Sequence, residues 1–273
     1  MYLRPRSKTF RRKRKLAKLL RLAQTGKYSA SKLAEIFGCN RKTALLVLKD
    51  NGIRLPNLGQ FRKTIYCNDN FFDRLMPISS YWLGFIAADG CLTSKDKGIS
   101  IGLSLKDKSH LRKFKRAIQA NSKIYCRSSN NSVKISIYSE KIFNQLVNLG
   151  ILPNKSLKIK NVLVPEKSIA HFIRGVFDGD GWVGGRKITH LQFMIAGNKP
   201  FLKQIQKVLV KKCGVNEVRL YSLSKENGAY KLQYTGSQIF RILEFLYQNS
   251  APETRLTRKY EKYLALREKF SRN

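Results

Sequence analysis

Four stretches of the chain alternate apolar and polar residues with a period of two, and each predicts a half-buried strand. Ile99, Ile101, Leu103 and Leu105 share one face against Ser100, Gly102, Ser104 and Lys106. Val133, Ile135 and Ile137 oppose Lys134, Ser136 and Tyr138. Leu191, Phe193 and Ile195 oppose His190, Gln192 and Met194, and Leu232 and Tyr234 oppose Lys231, Gln233 and Thr235. Strands of this kind build antiparallel sheets with one face for helices and one left open.

Two segments carry a different pattern. Pro77, with Ser79 or Ser80 as cap, begins a helix running to Ala88. Trp82, Leu83, Phe85, Ile86, Ala87 and Ala88 make it apolar nearly all round, so it is buried on several sides. Ser168 begins its counterpart, from Ile169 to about Gly179. Gly84 and Gly175 sit inside these helices, where glycine costs ~1 kcal/mol relative to alanine. Close approach of two crossing helices would offset that cost. Each helix then ends in Asp-Gly, at Asp89-Gly90 and Asp180-Gly181, with the glycines expected in the left-handed C-cap conformation. A carboxylate at a helix C-terminus faces the negative end of the dipole. Divalent cations bridging to phosphate oxygens would explain two of them.

The two helices belong to an internal repeat. Gly84–Gly90 recurs as Gly175–Gly181 at an offset of 91. The same offset pairs Asp107 with Asn198, each placed to cap a helix, and sets residues 110–118 against 201–209. Residues 135–143 match 232–240 at an offset of 97, which a longer loop in the second copy accommodates. Two copies of one unit imply pseudo-twofold symmetry, which suits a near-symmetric ligand such as duplex DNA.

The N-terminal part reads differently. Its first 23 residues hold ten Lys/Arg, as a mobile arm or solvated helix that lies along phosphates would. Ser29 or Ser31 can cap a helix through Phe37 with Leu33, Ile36 and Phe37 inward. Gly38 supplies a turn, and Asn40 caps a second helix from Arg41 to Lys49. Ala44, Leu45, Val47 and Leu48 give that helix an apolar stripe, with Arg41, Lys42 and Lys49 outward. This is a helix-turn-helix pattern. Residues 56–70 read as a linker. The division expected is 1–70 for arm, helix-turn-helix and linker, 71–164 for the first repeat and 165–273 for the second.

Charge narrows the partner. The 273 residues carry 54 Lys+Arg against 17 Asp+Glu, a formal net charge of +37. Such a field needs a polyanion, and nucleic acid is the first choice. The longest apolar run, 81–88, is too short for a bilayer span of roughly 20 residues. Five scattered cysteines without a CxxC pair suit reduced thiols in an intracellular, DNA-associated protein.

Residues 82–90 (WLGFIAADG) and 173–181 (IRGVFDGDG) resemble the two motifs of a single-chain LAGLIDADG homing endonuclease. Residues 150–156 (GILPNKS) and 256–260 (LTRKY) support the likeness, which covers about residues 75–265. The resemblance implies an α+β fold of two pseudo-symmetric αββαββα units forming a saddle on duplex DNA, acting as a monomer. It implies Mg²⁺ (or Mn²⁺) at Asp89 and Asp180 with Gly90 and Gly181 beside it, and a lysine near each centre, here Lys155 and Lys259. Asp178, matched by Ala87 in the first copy, is by register not the ligand, although its proximity makes it the best rival to Asp180. The groove-facing residues expected are Lys123, Tyr125, Arg127, Lys134, Ser136 and Tyr138 in the first sheet. In the second they are Arg186, Gln192, Arg219, Tyr221, Lys231 and Gln233.

Site-specific double-strand DNA cleavage is thus the expected function. An RNA maturase acting on a host intron, or a non-catalytic DNA-binding regulator, are the alternatives on the same scaffold. Retention of both aspartates argues against the regulator.

Overall fold

The computed structural model describes residues 8–26, 28–55, 66–153, 159–223 and 228–271. Residues 1–65 and 66–273 form separate compact units.

In the first unit, α1 (Lys8–Gln24), α2 (Ala30–Phe37) and α3 (Arg41–Asp50) share a small core of Leu19, Ala23, Leu33 and Leu48. The local signals act as expected. Ser29 Oγ accepts from Lys32 N–H, Gly38 turns at φ 63°, and Asn40 Oδ1 accepts from Thr43 N–H at 2.8 Å. The basic N-terminal segment is not wholly a solvated arm, since α1 contributes Leu19 and Ala23 to the core. Ile36 and Leu45, expected inward, are exposed. With α1 packed on the hairpin, Leu33, Ala44 and Leu48 suffice to fill the small core.

The second unit contains both repeats on one continuous core. The first runs α4 (Pro77–Asp89), β1 (Gly90–Thr93), β2 (Gly98–Ser104), α5 (Lys108–Ala117), β3 (Ile124–Arg127), β4 (Ser132–Tyr138) and α6 (Glu140–Asn148). The second runs α7 (Ile169–Asp180), β5 (Gly181–Gly184), β6 (Gln192–Asn198), α8 (Lys199–Cys213), β7 (Tyr221–Ser222), β8 (Ala229–Thr235) and α9 (Gln238–Tyr247). A last helix, α10 (Thr257–Ser271), follows. Each repeat is therefore αββαββα, with an antiparallel sheet of order β1-β2-β4-β3 or β5-β6-β8-β7.

Strand alternation decides which sheet face meets the helices. Ile99, Ile101, Val133, Ile135 and Ile137 are buried in the first sheet, and Phe193, Ile195, Leu232 and Tyr234 in the second. Leu105 departs from the pattern, because the chain has already turned into a 3-10 segment there and exposes it. The extra length of the second repeat lies mostly in a helix: α8 has 15 residues where α5 has 10.

The chain joins the second unit before residue 71. Asn121 N–H donates to Tyr66 O and Asn68 N–H to Ile118 O, while Phe71, Phe72 and Leu75 enter the core. Residues 56–65, the rest of the expected linker, lie outside the described residues.

Helices α4 and α7 pack through their glycines. A Cβ at Gly84 would lie 2.0 Å from Phe172 O, and one at Gly175 would lie 2.0 Å from Tyr81 O. Only glycine permits that backbone approach. Pro77 opens α4 as expected, but Ser79 supports the start from inside the helix: its Oγ accepts from Met76 N–H at 2.9 Å.

Gly90 and Gly181 differ from expectation. Their φ values are −79° and −95°, not left-handed, because each helix runs straight into a strand. Glycine is required there by space. A Cβ at Gly90 would sit 2.6 Å from Ile86 O, and one at Gly181 would sit 2.2 Å from the Phe177 ring.

Candidate active site and nucleic-acid faces

Because α4 and α7 cross at their glycines, their C-terminal ends stay together. A Cβ at Gly179 would meet Ala88 Cβ at 2.4 Å and Asp89 Oδ2 at 3.3 Å. The residue before Asp180 on one helix thus touches the carboxylate of the other. Asp89 is half-buried and Asp180 exposed at the last position of each helix.

Lys259, from α10, reaches the same place. Its Nζ donates to Phe177 O and Gly181 O, both at 2.5 Å, so an ammonium covers the negative end of the α7 dipole. Burial pulls Lys259 down to about 8. Asp178 leads the opposing carboxylates, and Asp89 and Asp180 add to it. Lys155 lies outside the described residues.

Asp178 has a role the sequence did not disclose. It is 1% exposed and accepts from Tyr81 Oη at 2.8 Å, Tyr247 Oη at 2.7 Å and Leu256 N–H at 2.7 Å. Burial raises its pKa, opposed by Lys259 and these hydrogen bonds. Its carboxylate holds the two repeats and the C-terminal segment together, away from solvent. Arg174, equally buried, donates to Thr254 O, Leu246 O and Thr254 Oγ1 from the same helix. Asp107 departs from its expected role as a helix cap. It makes no capping bond and instead pairs with Arg258 through three hydrogen bonds of 3.0–3.2 Å. Its symmetry mate Asn198 does cap, accepting from Phe201 N–H at 3.0 Å.

The donor set is compatible with a hard divalent cation. Among the described residues no group of three or more His, Cys, Asp or Glu side chains gathers. A cation at the helix ends would therefore draw on Asp89, Asp180 and backbone carbonyls, with water and phosphate completing the shell, as Mg²⁺ prefers. The Gly181 carbonyl already accepts from Lys259.

The strand register sorts the expected groove residues. In the first sheet Lys134 stands between Tyr125 on one neighbouring strand and Gly102 on the other, Ser136 stands opposite Ser100, and Tyr138 opposite Gly98. Lys134, Tyr125 and Arg127 are exposed, Ser136 and Tyr138 half-buried, and Lys123 is exposed just before β3. In the second sheet Tyr221 stands opposite Lys231, with Lys231 Nζ 5.6 Å from the ring centre. Gln192 stands opposite Thr235 and Gln233 opposite Met194. Arg186 and Arg219 lie in connecting segments, off the ladder. Arg41 and Lys42 are exposed on the first turn of α3, in the separate first unit. Sequence reasoning passed over Trp182, 45% exposed on the open face, although its alternation with buried Val183 was a usable signal.

A two-repeat α+β protein, with paired Asp-ended helices between two open antiparallel sheets, is the class that fold and site define. Solved structures similar to this chain are LAGLIDADG proteins. The LAGLIDADG meganuclease I-CpaMI bound to uncleaved DNA is 15% identical, over 71% of this chain and 92% of that one, with a TM-score of 0.48. The I-LtrWI LAGLIDADG homing endonuclease bound to target DNA is 14% identical, over 76% and 92%, at 0.47. Mesophilic variants of the homing endonuclease I-DmoI are 19% identical, over 73% and 99%, at 0.45. No protein-family model matches the chain, and no curated protein sequence does.

Proposed function

We propose that the chain is a site-specific DNA endonuclease of the LAGLIDADG homing type, cutting one phosphodiester in each strand of a duplex. The observation that carries this reading is the crossing of α4 and α7, which sets Gly179 against the Asp89 carboxylate and brings both Asp-bearing helix ends to one place. Lys259 offsets part of the negative charge gathered at these helix ends, and a divalent cation bound there would offset more.

The chain's own groups divide the work. Asp89 and Asp180 would hold the divalent cations, Mg²⁺ with Mn²⁺ substituting, and fix their position over the scissile bonds. A cation bound there supplies a water of lowered pKa and stabilises charge on the phosphate. Lys259 fixes the end of α7 through the Phe177 and Gly181 carbonyls, which holds Asp180 in register with Asp89. Lys155 is the candidate lysine for the first repeat. The open sheet faces, with Tyr125, Arg127, Lys134 and Ser136 in one repeat and Gln192, Tyr221, Lys231 and Gln233 in the other, have the residue types that bind base edges and phosphates.

The first unit would add DNA contacts of its own. Arg41, Lys42 and Lys49 line the exposed side of α3, the position of a recognition helix in a helix-turn-helix. The protein would act as a monomer, since one chain carries both repeats. It would be intracellular and associated with DNA.

A plasmid library with a randomised insert, incubated with the protein and Mg²⁺, tests the proposal. Recovery of linear plasmids sharing one insert sequence is the expected result. Uniformly intact plasmid, with retained binding to duplex or to intron RNA, would favour the regulator or the maturase.

A further inference from the structure

Strands β1 and β5 leave their motif helices immediately after Asp89 and Asp180. Cys91 and Trp182, each two residues past its aspartate, are therefore the first side chains presented on the open faces, and both are exposed. The register carries each across its sheet. Cys91 stands opposite Ser100, which stands opposite Ser136. Trp182 stands opposite Met194, which stands opposite Gln233. These are equivalent rows in two copies of one unit, each one step along its strand from the helix end. Their chemistry is unlike.

The first row is small and carries hydroxyls, which accept from or donate to any base edge and so discriminate weakly. The second row joins a large aromatic, a thioether and a primary amide. Trp182 is 45% exposed and so offers part of its ring to a ligand on the open face. Its ring is held where it is. It lies along Gly184, where a Cβ would come 2.8 Å from ring Cζ2, and Lys262 Nζ stands 5.2 Å from the ring centre. A ring fixed in this way loses little freedom on binding. Met194 beside it is half-buried and adapts its shape to a small apolar group.

We infer that the row Trp182–Met194–Gln233 specifies A·T pairs in the half-site next to Asp180, while the row Cys91–Ser100–Ser136 leaves its mirror position open. Gln233 takes adenine through N6 and N7, and Trp182 with Met194 packs on the thymine 5-methyl group. Charge supports a duplex occupant: Lys231 and Lys262 flank the row in a chain of net charge +37. The inference rests on the duplex-DNA reading above and names which base pairs that reading favours.

The test is enrichment of duplexes bound by the full-length protein from a randomised library in EDTA, so that binding is read without cleavage. The expected result is a target with two symmetry-related positions that differ, one restricted to A·T and its mirror unrestricted. Gln233→Ala should relax that restricted position alone, with the affinity advantage of adenine falling about tenfold. Replacing its thymine by uracil should weaken wild-type binding roughly fourfold, the effect of one methyl-sized group. Met194→Ala combined with Trp182→Ala should make thymine and uracil equivalent. A selected target with G·C at that position, or equal restriction on both sides, overturns the inference and leaves the duplex reading standing. Recovery of no shared sequence at all overturns both.

Discussion

Tyr81 of α4 donates its hydroxyl to the Asp178 carboxylate of α7 at 2.8 Å, joining the two motif helices through a buried acid. The same carboxylate takes Tyr247 and the Leu256 N–H, so one side chain ties both repeats to the segment that leads into α10. Arg174 and Lys259 lie nearby as buried cations. Removing the anion takes away the leading opposite charge on each, a loss of the kind that typically costs about 3–5 kcal/mol. Asp178→Ala is thus expected to lower stability by that order in denaturant titration. Asp89→Asn and Asp180→Asn, made at half-buried and exposed carboxylates, should change it little or raise it slightly. Equal losses in all three would show that Asp178 has no special structural role.

Gly84 and Gly175 permit the helix crossing, and alanine at either would place Cβ 2.0 Å from a backbone carbonyl. Backbone cannot yield as a side-chain tip can, so each substitution should cost more than about 2 kcal/mol. Gly102→Ala serves as the control, since its Cβ would meet nothing closer than 4.0 Å. A thermal melt with Gly84→Ala unfolding at the wild-type temperature would contradict the close crossing.

Two desolvated histidines, one buried and one half-buried, set the acid limit. Burial pulls His110 from 6.5 to about 3, with Lys113, Arg258 and Lys259 adding to the shift, and pulls His171 to about 4, with Arg174 adding. In both the folded pKa lies below the unfolded value. Their contribution is therefore complete above pH 6.5 and lost as pH falls towards 3–4. At pH 5 the loss from His110 should be about 2 kcal/mol. His110→Phe, in a site lined by the rings of Trp82, Phe85 and Tyr81, whose hydroxyl lies 2.9 Å from His110 Nε2, should flatten the fall in melting temperature between pH 7 and 5. An unchanged slope would mean the histidine is not held neutral.

How far these features could be read beforehand depends on the range over which each is specified. The sheets, the Asn40 and Asn198 caps, and the glycine crossing were legible, because period, cap chemistry and repeat register are local signals. Asp178 was placed by register outside the metal site, but not in its cradle. Its partners Tyr81, Tyr247 and Leu256 come from distant parts of the chain, and no local pattern joins them. Asp107 looked like Asn198 in the repeat, yet Arg258 of the last helix takes it. Gly90 and Gly181 carry the composition of a left-handed cap, but the strand that follows at once keeps φ negative and makes space the reason for glycine. Ile36 and Leu45 were misplaced because the share of a small core held by α1 is decided by tertiary packing.

The first unit can be tested by removal. With residues 1–65 deleted, the second unit keeps its own core and should still melt cooperatively. If α1 and α3 bind phosphates, duplex affinity should fall, and the slope of log K against log[salt] should flatten by roughly one for each phosphate no longer neutralised. An unchanged slope would remove the first unit from the DNA interface. Within the full chain, Asn40→Ala should destabilise that unit alone by about 1 kcal/mol.

The most direct test of the central claim is strand-resolved cleavage of a selected target in Mg²⁺ by wild type, Asp89→Asn and Asp180→Asn, with duplex affinity measured on the same preparations. Linear product from wild type, none from either variant, and affinity unchanged or tighter in both is the predicted result. Full cleavage by either variant, or loss of cleavage that merely follows loss of binding, would contradict the assignment of the two helix-end carboxylates to the reaction.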